Sequence, residues 1–247
     1  MTEVRVVPDG ATLARTVAEQ LVARLAAIQA EGRAPSLVLT GGTIAGEIYR
    51  VMADLDTDAV DWMQVDFWWG DERYVPADST DRNDRGAELD LLDVVGADPA
   101  RVHAMPAADE VHPDVANAAA SYAELVRTHG SGEFDLVLLG VGPDGHVASL
   151  FPGFPQLDVE DDITAPVTDS PKPPPERVSL TYRALNNTRA TWFLVSGDGK
   201  ADAAAQAIGG ADLHAIPAAG ARGQDETVWF LDEPAASRLP SGPSATS

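Results

Sequence analysis

Cysteine is absent from this 247-residue chain, which excludes disulfides, thiolate metal sites and a cysteine nucleophile. Lysine is nearly absent as well: the 17 basic residues include only Lys172 and Lys200. Against them stand 39 acidic residues, for a net charge of −22 with histidine neutral. Such a surface repels nucleic acid and anionic lipid, so neither nucleic acid nor membrane is an expected partner. It also repels an anionic ligand, so a phosphate site must be built locally from backbone amides and a few placed cations. No apolar run approaches the roughly 20 residues that span a bilayer. The N-terminus lacks the basic-then-apolar pattern of a signal peptide, and a cytoplasmic protein is the simplest expectation. There is no HExxH and no paired histidine at helical spacing, so no metal is expected. There is no G-x-S-x-G nucleophile elbow and no Gly-Lys-Ser/Thr of a Walker loop.

What is present alternates between strand and helix. Val4–Val7 reads as a strand, and Asp9 as the cap of a helix with the apolar stripe Leu13, Val17, Leu21, Leu25 and Ile28. Ser36–Thr40 is a second strand, followed through Gly41-Gly42-Thr43 by a helix to about Met52, and Val65–Trp69 is a third. A polar loop leads to a helix over Arg85–Val95, a short strand at Val102–Met105 and a helix from Pro113 to about Thr128. Phe134–Leu139, Ile163–Val167, Val178–Thr181, Ala190–Ser196 and Thr227–Leu231 read as further strands, with a helix from the Gly197–Lys200 turn to Ile208. The pattern predicts an α/β fold: a mostly parallel sheet with helices on both faces, and room for a small additional lobe. Residues 1–236 are expected to form one domain, with 237–247, rich in Ser and Pro, a disordered tail.

Four segments carry candidate chemistry. In LTGGTIAGEIYR, a strand ends, two glycines turn and a helix begins, so Gly41, Gly42 and Thr43 offer a phosphate seat; an ordinary tight βα turn is the plain alternative. In WWGDERYVPADSTDRND, Arg73 is a candidate oxyanion clamp and Asp71 a candidate hydroxyl ligand or base, with a solvated loop of internal ion pairs as the alternative. In FDLVLLGVGPDGHVASLFPG, Asp144 and His146 share a glycine turn at a strand end; Gly140, Gly142 and Gly145 have dinucleotide spacing, but Phe151-Pro152-Gly153 breaks the helix that such a site needs, so a nicotinamide dehydrogenase is discounted. His103, His112, His129 and His214 read as structural. In VSGDGKADAAAQAI, Lys200 lies in the first turn of a helix, where a cation is unfavourable unless an anion shares the site. Lys172, inside SPKPPP, reads as incidental.

These segments resemble the family that holds 6-phosphogluconolactonase and glucosamine-6-phosphate isomerase/deaminase. The resemblance rests on TGGT at 40–43, GDERYVP at 70–76, FDLVLLGVGPDGHVASLFPG at 134–153, ERVSLT at 176–181 and the stretch around Lys200. It implies a fold like that of ribose-5-phosphate isomerase and CoA transferases, and hydrolysis of a phosphorylated sugar lactone in the oxidative pentose phosphate pathway by a monomer with no cofactor. It further implies His146 as general base with Asp144 beside it, and Gly41, Gly42, Thr43, Asp71, Arg73, Asn83, Arg177 and Lys200 as substrate- and phosphate-binding residues. Deaminases of the group carry a relay glutamate where this chain has Phe151, which disfavours the isomerase branch. A non-catalytic sugar-phosphate sensor would be tethered to a basic DNA-binding segment that this sequence lacks. Lactonases usually have Asp-Ser-Asn where this chain has Asp81-Arg82-Asn83, so Arg82 is a departure.

Overall fold

The structure is a computed structural model that describes residues 2–55, 59–130 and 133–240. The chain runs β1 (Thr2–Val7), α1 (Gly10–Ala30), β2 (Ser36–Leu39), α2 (Thr43–Asp54), β3 (Asp66–Trp69), β4 (Asp71–Arg73), α3 (Asn83–Ala87), α4 (Asp93–Val95), α5 (Val115–His129) and β5 (Phe134–Gly140). It continues with β6 (Thr164–Val167), β7 (Arg177–Leu180), α6 (Tyr182–Leu185), β8 (Thr188–Val195), α7 (Ala201–Ile208), β9 (Glu226–Asp232) and α8 (Glu233–Ala236). Six parallel strands form the main sheet in the order β1-β9-β8-β5-β2-β3, and β4-β7-β6 form a small antiparallel sheet. Every side chain of β2 is buried, and nearly every one of β5 and β8, as expected for parallel strands covered on both faces. The register sets Phe193 beside Trp229, whose rings stack at 3.8 Å.

Strand order fixes where a ligand can sit. From β2 the chain steps outward to β3; from β5 it steps the other way, to β8 and then β9. The direction reverses between β2 and β5, which opens a crevice at their carboxyl ends. The apolar stripe of α1 is buried as its spacing predicts, and the Asp9 carboxylate accepts the Thr12 N–H at 2.8 Å to start the helix.

Several elements differ from the sequence expectation. Asp71–Arg73, read as the start of a loop, forms β4 and pairs with β7. Val102–Met105 makes one bridge, Phe67 to Val102, rather than a strand, and Pro106 has no N–H with which to extend it. The helix expected from Pro113 starts at Val115, because Asp114 accepts the Asn117 N–H at 2.7 Å and so is the cap. The helix expected from Arg85 begins at Asn83 and passes through a π-helical turn, Glu88–Leu92. Of the predicted tail, Ser237 and Leu239 continue from α8 by backbone turns, and 241–247 lie outside the described residues. No helix among the described residues is long and apolar enough to cross a membrane.

Two buried tyrosines close the strand ends beside the crevice. The Tyr49 hydroxyl, from α2, accepts the Thr40 N–H at 3.0 Å and donates to the Thr40 carbonyl at 2.7 Å. The Tyr122 hydroxyl, from α5, accepts the Trp69 N–H at 3.0 Å and donates to the Trp69 carbonyl at 3.3 Å. Each phenol thus serves both backbone groups of one residue as the sheet ladder runs out. Burial raises both phenols far above the ordinary tyrosine range, so they stay protonated. Tyr49→Phe strands two buried backbone groups and is expected to lower stability by about 1–3 kcal/mol in urea unfolding.

Candidate active site

A cleft of about 270 Å³ lies over the carboxyl ends of β2 and β5. One wall is the turn into α2. Gly42 caps that helix at φ 102, a conformation that favours glycine, and no side chain caps its first N–H groups. Gly41 is needed for space: a Cβ there would stand 1.9 Å from the Asn83 Oδ1. The uncapped N-terminus faces the cleft through Gly42, Thr43 and Ile44, the arrangement that favours an anion.

The second wall comes from β4 and α3. Arg73 reaches the cleft with Nη1 donating to the Asp81 carbonyl at 2.8 Å and to the Asn83 Oδ1 at 2.5 Å. Asn83 uses its other end as well, Nδ2 donating to the Asp71 carbonyl at 2.9 Å. Beneath them Glu72, 1% exposed, accepts the N–H groups of Arg73, Asn83 and Asp84 at 2.7, 2.8 and 2.9 Å. Its carboxylate therefore caps α3 from another element, which explains why the helix begins where it does. Burial and the Asp84 charge raise Glu72 to about 7, against the opposing pull of Arg82 and those N–H bonds. Arg82, the departure in the loop, is buried: it forms a two-pronged pair with Asp84 and donates to the Met105 carbonyl at 2.7 Å.

The third wall is the glycine turn after β5. The His146 Nδ1 lies 2.5 Å from the Asp144 Oδ1, and the ring centroid is 4.7 Å from that of Phe151. A Cβ on Gly142 would stand 2.0 Å from the His146 Nδ1, so the pair forms only over a glycine. Burial on its own would raise Asp144; the hydrogen bond and charge of His146, with the charge of Lys172, instead hold it at about 2. Asp71 is buried at the cleft floor, accepting from the Ser149 hydroxyl at 2.6 Å with the Arg177 Nη1 at 3.9 Å. Between them Ala148, at φ 48, turns the chain so that Ser149 points back towards β4.

The last wall holds both lysines. Lys200 closes the turn after β8 and precedes α7, and burial, then the charge of Lys172, lowers its ammonium, opposed by Asp232. Asp232 secures that turn by accepting from the Ser196 hydroxyl at 2.5 Å and the Gly197 N–H at 3.1 Å. Lys172, which reads as incidental in the sequence, lines the cleft with its Nζ 3.5 Å from the His146 Nδ1. Arg177 is buried below it, donating to the carbonyls of Lys172, Pro173 and Pro174 at 3.1, 3.2 and 3.2 Å. The rarity of lysine was a signal for both lysines, and the proline run masked it in one.

The structure thus brings all ten sequence-predicted site residues into one region, nine of them lining the cleft and Asp144 bonded to His146. His103, His112, His129 and His214 line no part of it; His103, for example, stacks on Trp68 at 4.0 Å. A larger groove of about 740 Å³ opens at the opposite edge, by Ser36 and Phe134, where β2 and β5 begin. Its one basic side chain, Arg183, donates to the carbonyls of Glu160 and Asp161, so the chemistry belongs to the smaller cleft. Among the described residues no group of three or more His, Asp or Glu is set to hold a metal ion.

Glu72 makes a testable link between site and stability. Its folded pKa of about 7 exceeds the model-compound value of 4.5, so between these values the folded state binds the extra proton and this contribution to stability falls as pH rises. Glu72→Gln removes that slope. The stability of the variant relative to wild type should rise from pH 4.5 to 7.5 in urea unfolding; a constant difference would contradict the assignment.

Comparison with known proteins agrees with this geometry. The chain matches the family described as glucosamine-6-phosphate isomerases/6-phosphogluconolactonase over residues 8–229. A 6-phosphogluconolactonase of Streptomyces coelicolor is 44% identical over 241 residues, covering 94% of this chain and 92% of its own. The crystal structure of 6-phosphogluconolactonase from Thermotoga maritima superposes with a TM-score of 0.83 at 28% identity, covering 94% of this chain and 100% of that one. A monomeric glucosamine-6-phosphate deaminase superposes with a TM-score of 0.80 at 19% identity, covering 96% and 99%, a likeness of fold alone. On sequence and fold together, the chain belongs to the glucosamine-6-phosphate isomerase/6-phosphogluconolactonase family.

Proposed function

We propose that this protein hydrolyses 6-phospho-D-glucono-1,5-lactone to 6-phosphogluconate. The observation that carries the reading is the Asp144–His146 pair, 2.5 Å apart, at a cleft that also presents a helix N-terminus and cations. The relatives named above as 6-phosphogluconolactonases support it, as does Phe151, whose fully buried ring lies against His146 where an isomerase of the family needs a carboxylate.

In this reading the 6-phosphate sits on the amides of Gly41, Gly42 and Thr43, between Arg73 and Lys200. Asp144 accepts the Nδ1–H of His146, which leaves Nε2 as the base. His146 takes a proton from water as the water oxygen bonds to C1, then returns it to the ring oxygen as the C1–O bond breaks. Asp71, held by Ser149, binds a sugar hydroxyl. Asn83 aims Arg73, and Arg177 shapes the segment that carries Lys172. Residues 1–236 act as one catalytic unit, since one hydrophobic core runs through the main sheet and into β7 of the small one.

The direct test supplies freshly generated lactone and follows acid release without added cofactor, with glucosamine 6-phosphate in parallel. Acid release from the lactone alone is expected; ammonia release from the amino sugar would favour the isomerase branch. His146→Ala should lower kcat by about 10²–10⁴-fold while keeping affinity for a phosphorylated sugar. Lys200→Ala should raise KM with a smaller change in kcat, and an unchanged KM would remove it from the phosphate site.

A further inference from the structure

Four cations line the cleft: Arg73, Lys172, Arg177 and Lys200. The two guanidinium groups are already engaged, Arg73 with Asp81 and Asn83, and Arg177 with three carbonyls of the segment above it. The two ammonium groups are not, apart from the contact of Lys172 with His146. They are also the only two lysines in a chain that otherwise writes positive charge as arginine. An ammonium differs from a guanidinium in being a compact charge with three rotatable donors on a flexible stem. That suits an oxygen whose direction and charge change during a reaction.

Lys172 is also held in place. Arg177 grips the backbone of residues 172–174 from below, and the Ser170 hydroxyl donates to the Lys172 carbonyl at 3.0 Å and accepts its N–H at 3.3 Å. Its neighbours Pro171 and Pro173 fix φ on either side. A segment with nothing to position would not need this many attachments. Lys172, unlike Lys200, touches the general base, so its charge stands beside the reacting carbon rather than the phosphate.

Resting on the lactonase reading, we propose that Lys172 is a catalytic residue that binds the C1 oxygen as it becomes an oxyanion, and then holds the carboxylate of the product. The water oxygen bonds to C1 while its proton passes to His146, and the carbonyl electron pair moves onto O1 beside the Lys172 ammonium. That pair re-forms the carbonyl as the bond to the ring oxygen breaks, the ring oxygen takes the proton from His146, and the new acid releases its proton to solvent. A single donor to such an oxyanion typically contributes about 10²–10³-fold to kcat.

The test uses Lys172→Met and Lys172→Arg in the full chain. Lys172→Met should lower kcat by about 10²-fold with less than about a threefold change in KM. In calorimetric titration it should also weaken binding of 6-phosphogluconate at least about tenfold while leaving glucitol 6-phosphate, which has CH₂OH in place of the carboxylate, unchanged. Lys172→Arg should restore part of the 6-phosphogluconate affinity. Equal weakening of both ligands would make Lys172 a phosphate ligand, and no weakening of either would make it a bystander; both outcomes overturn the proposal. Lactone turnover by the wild-type chain tests the lactonase reading separately. If that turnover is absent, both fall; if it is present and the ligand selectivity of Lys172→Met is unchanged, only this assignment falls.

Discussion

The governing constraint is electrostatic: a chain of net charge −22 must draw a phosphorylated molecule into a cleft. Distance decides which charges win. Acidic groups farther than about 8–10 Å from a ligand are largely screened at physiological salt, whereas a cation at 4 Å in partly buried surroundings is worth about 4 kcal/mol. The cleft therefore needs few cations, provided that they are fixed. That need accounts for the heavy framing around them: Asn83 and Asp81 on Arg73, backbone carbonyls on Arg177, and Asp232 securing the turn before Lys200. The amides at the start of α2 add attraction without adding charge.

Beneath this lies a second electrostatic layer that no ligand touches. Glu72, Arg82 and Asp84 are packed together under the Arg73 loop, and the Glu72 carboxylate gathers N–H groups from both β4 and α3. The cluster joins a short strand to a short helix, neither long enough to hold itself. Arg82, which departs from the usual lactonase pattern, is absorbed by this cluster rather than by the cleft, so it alters the foundation of the site and leaves its lining alone.

Much of the architecture was legible in the sequence, because parallel strands buried on both faces leave unbroken apolar runs such as FDLVLL and TWFLV. The seat at Gly41–Thr43 and the Asp144–His146 pair were legible because glycines mark close approach, and the structure gives the reason in the contacts that a Cβ would make with Asn83 and His146. β4 was not legible, since three charged residues carry no apolar alternation; they form a strand only because β7 pairs with them and Glu72 finds partners across the turn. The placement of Lys172 was hidden for a related reason. A proline run reads as a connection, and what turns this one into a wall of the cleft is Arg177, an interaction that local sequence does not express.

The tyrosines at Thr40 and Trp69 have an implication for how such a scaffold changes over time. A strand end is normally tied to whatever continues the ladder, so altering the loop beyond it disturbs the sheet. Here a phenol from a neighbouring helix takes both backbone groups of the final residue, and the sheet is complete before the loop begins. The turns that follow are free to vary in length and chemistry without loosening the strands, which lets one framework be refitted for different sugar phosphates.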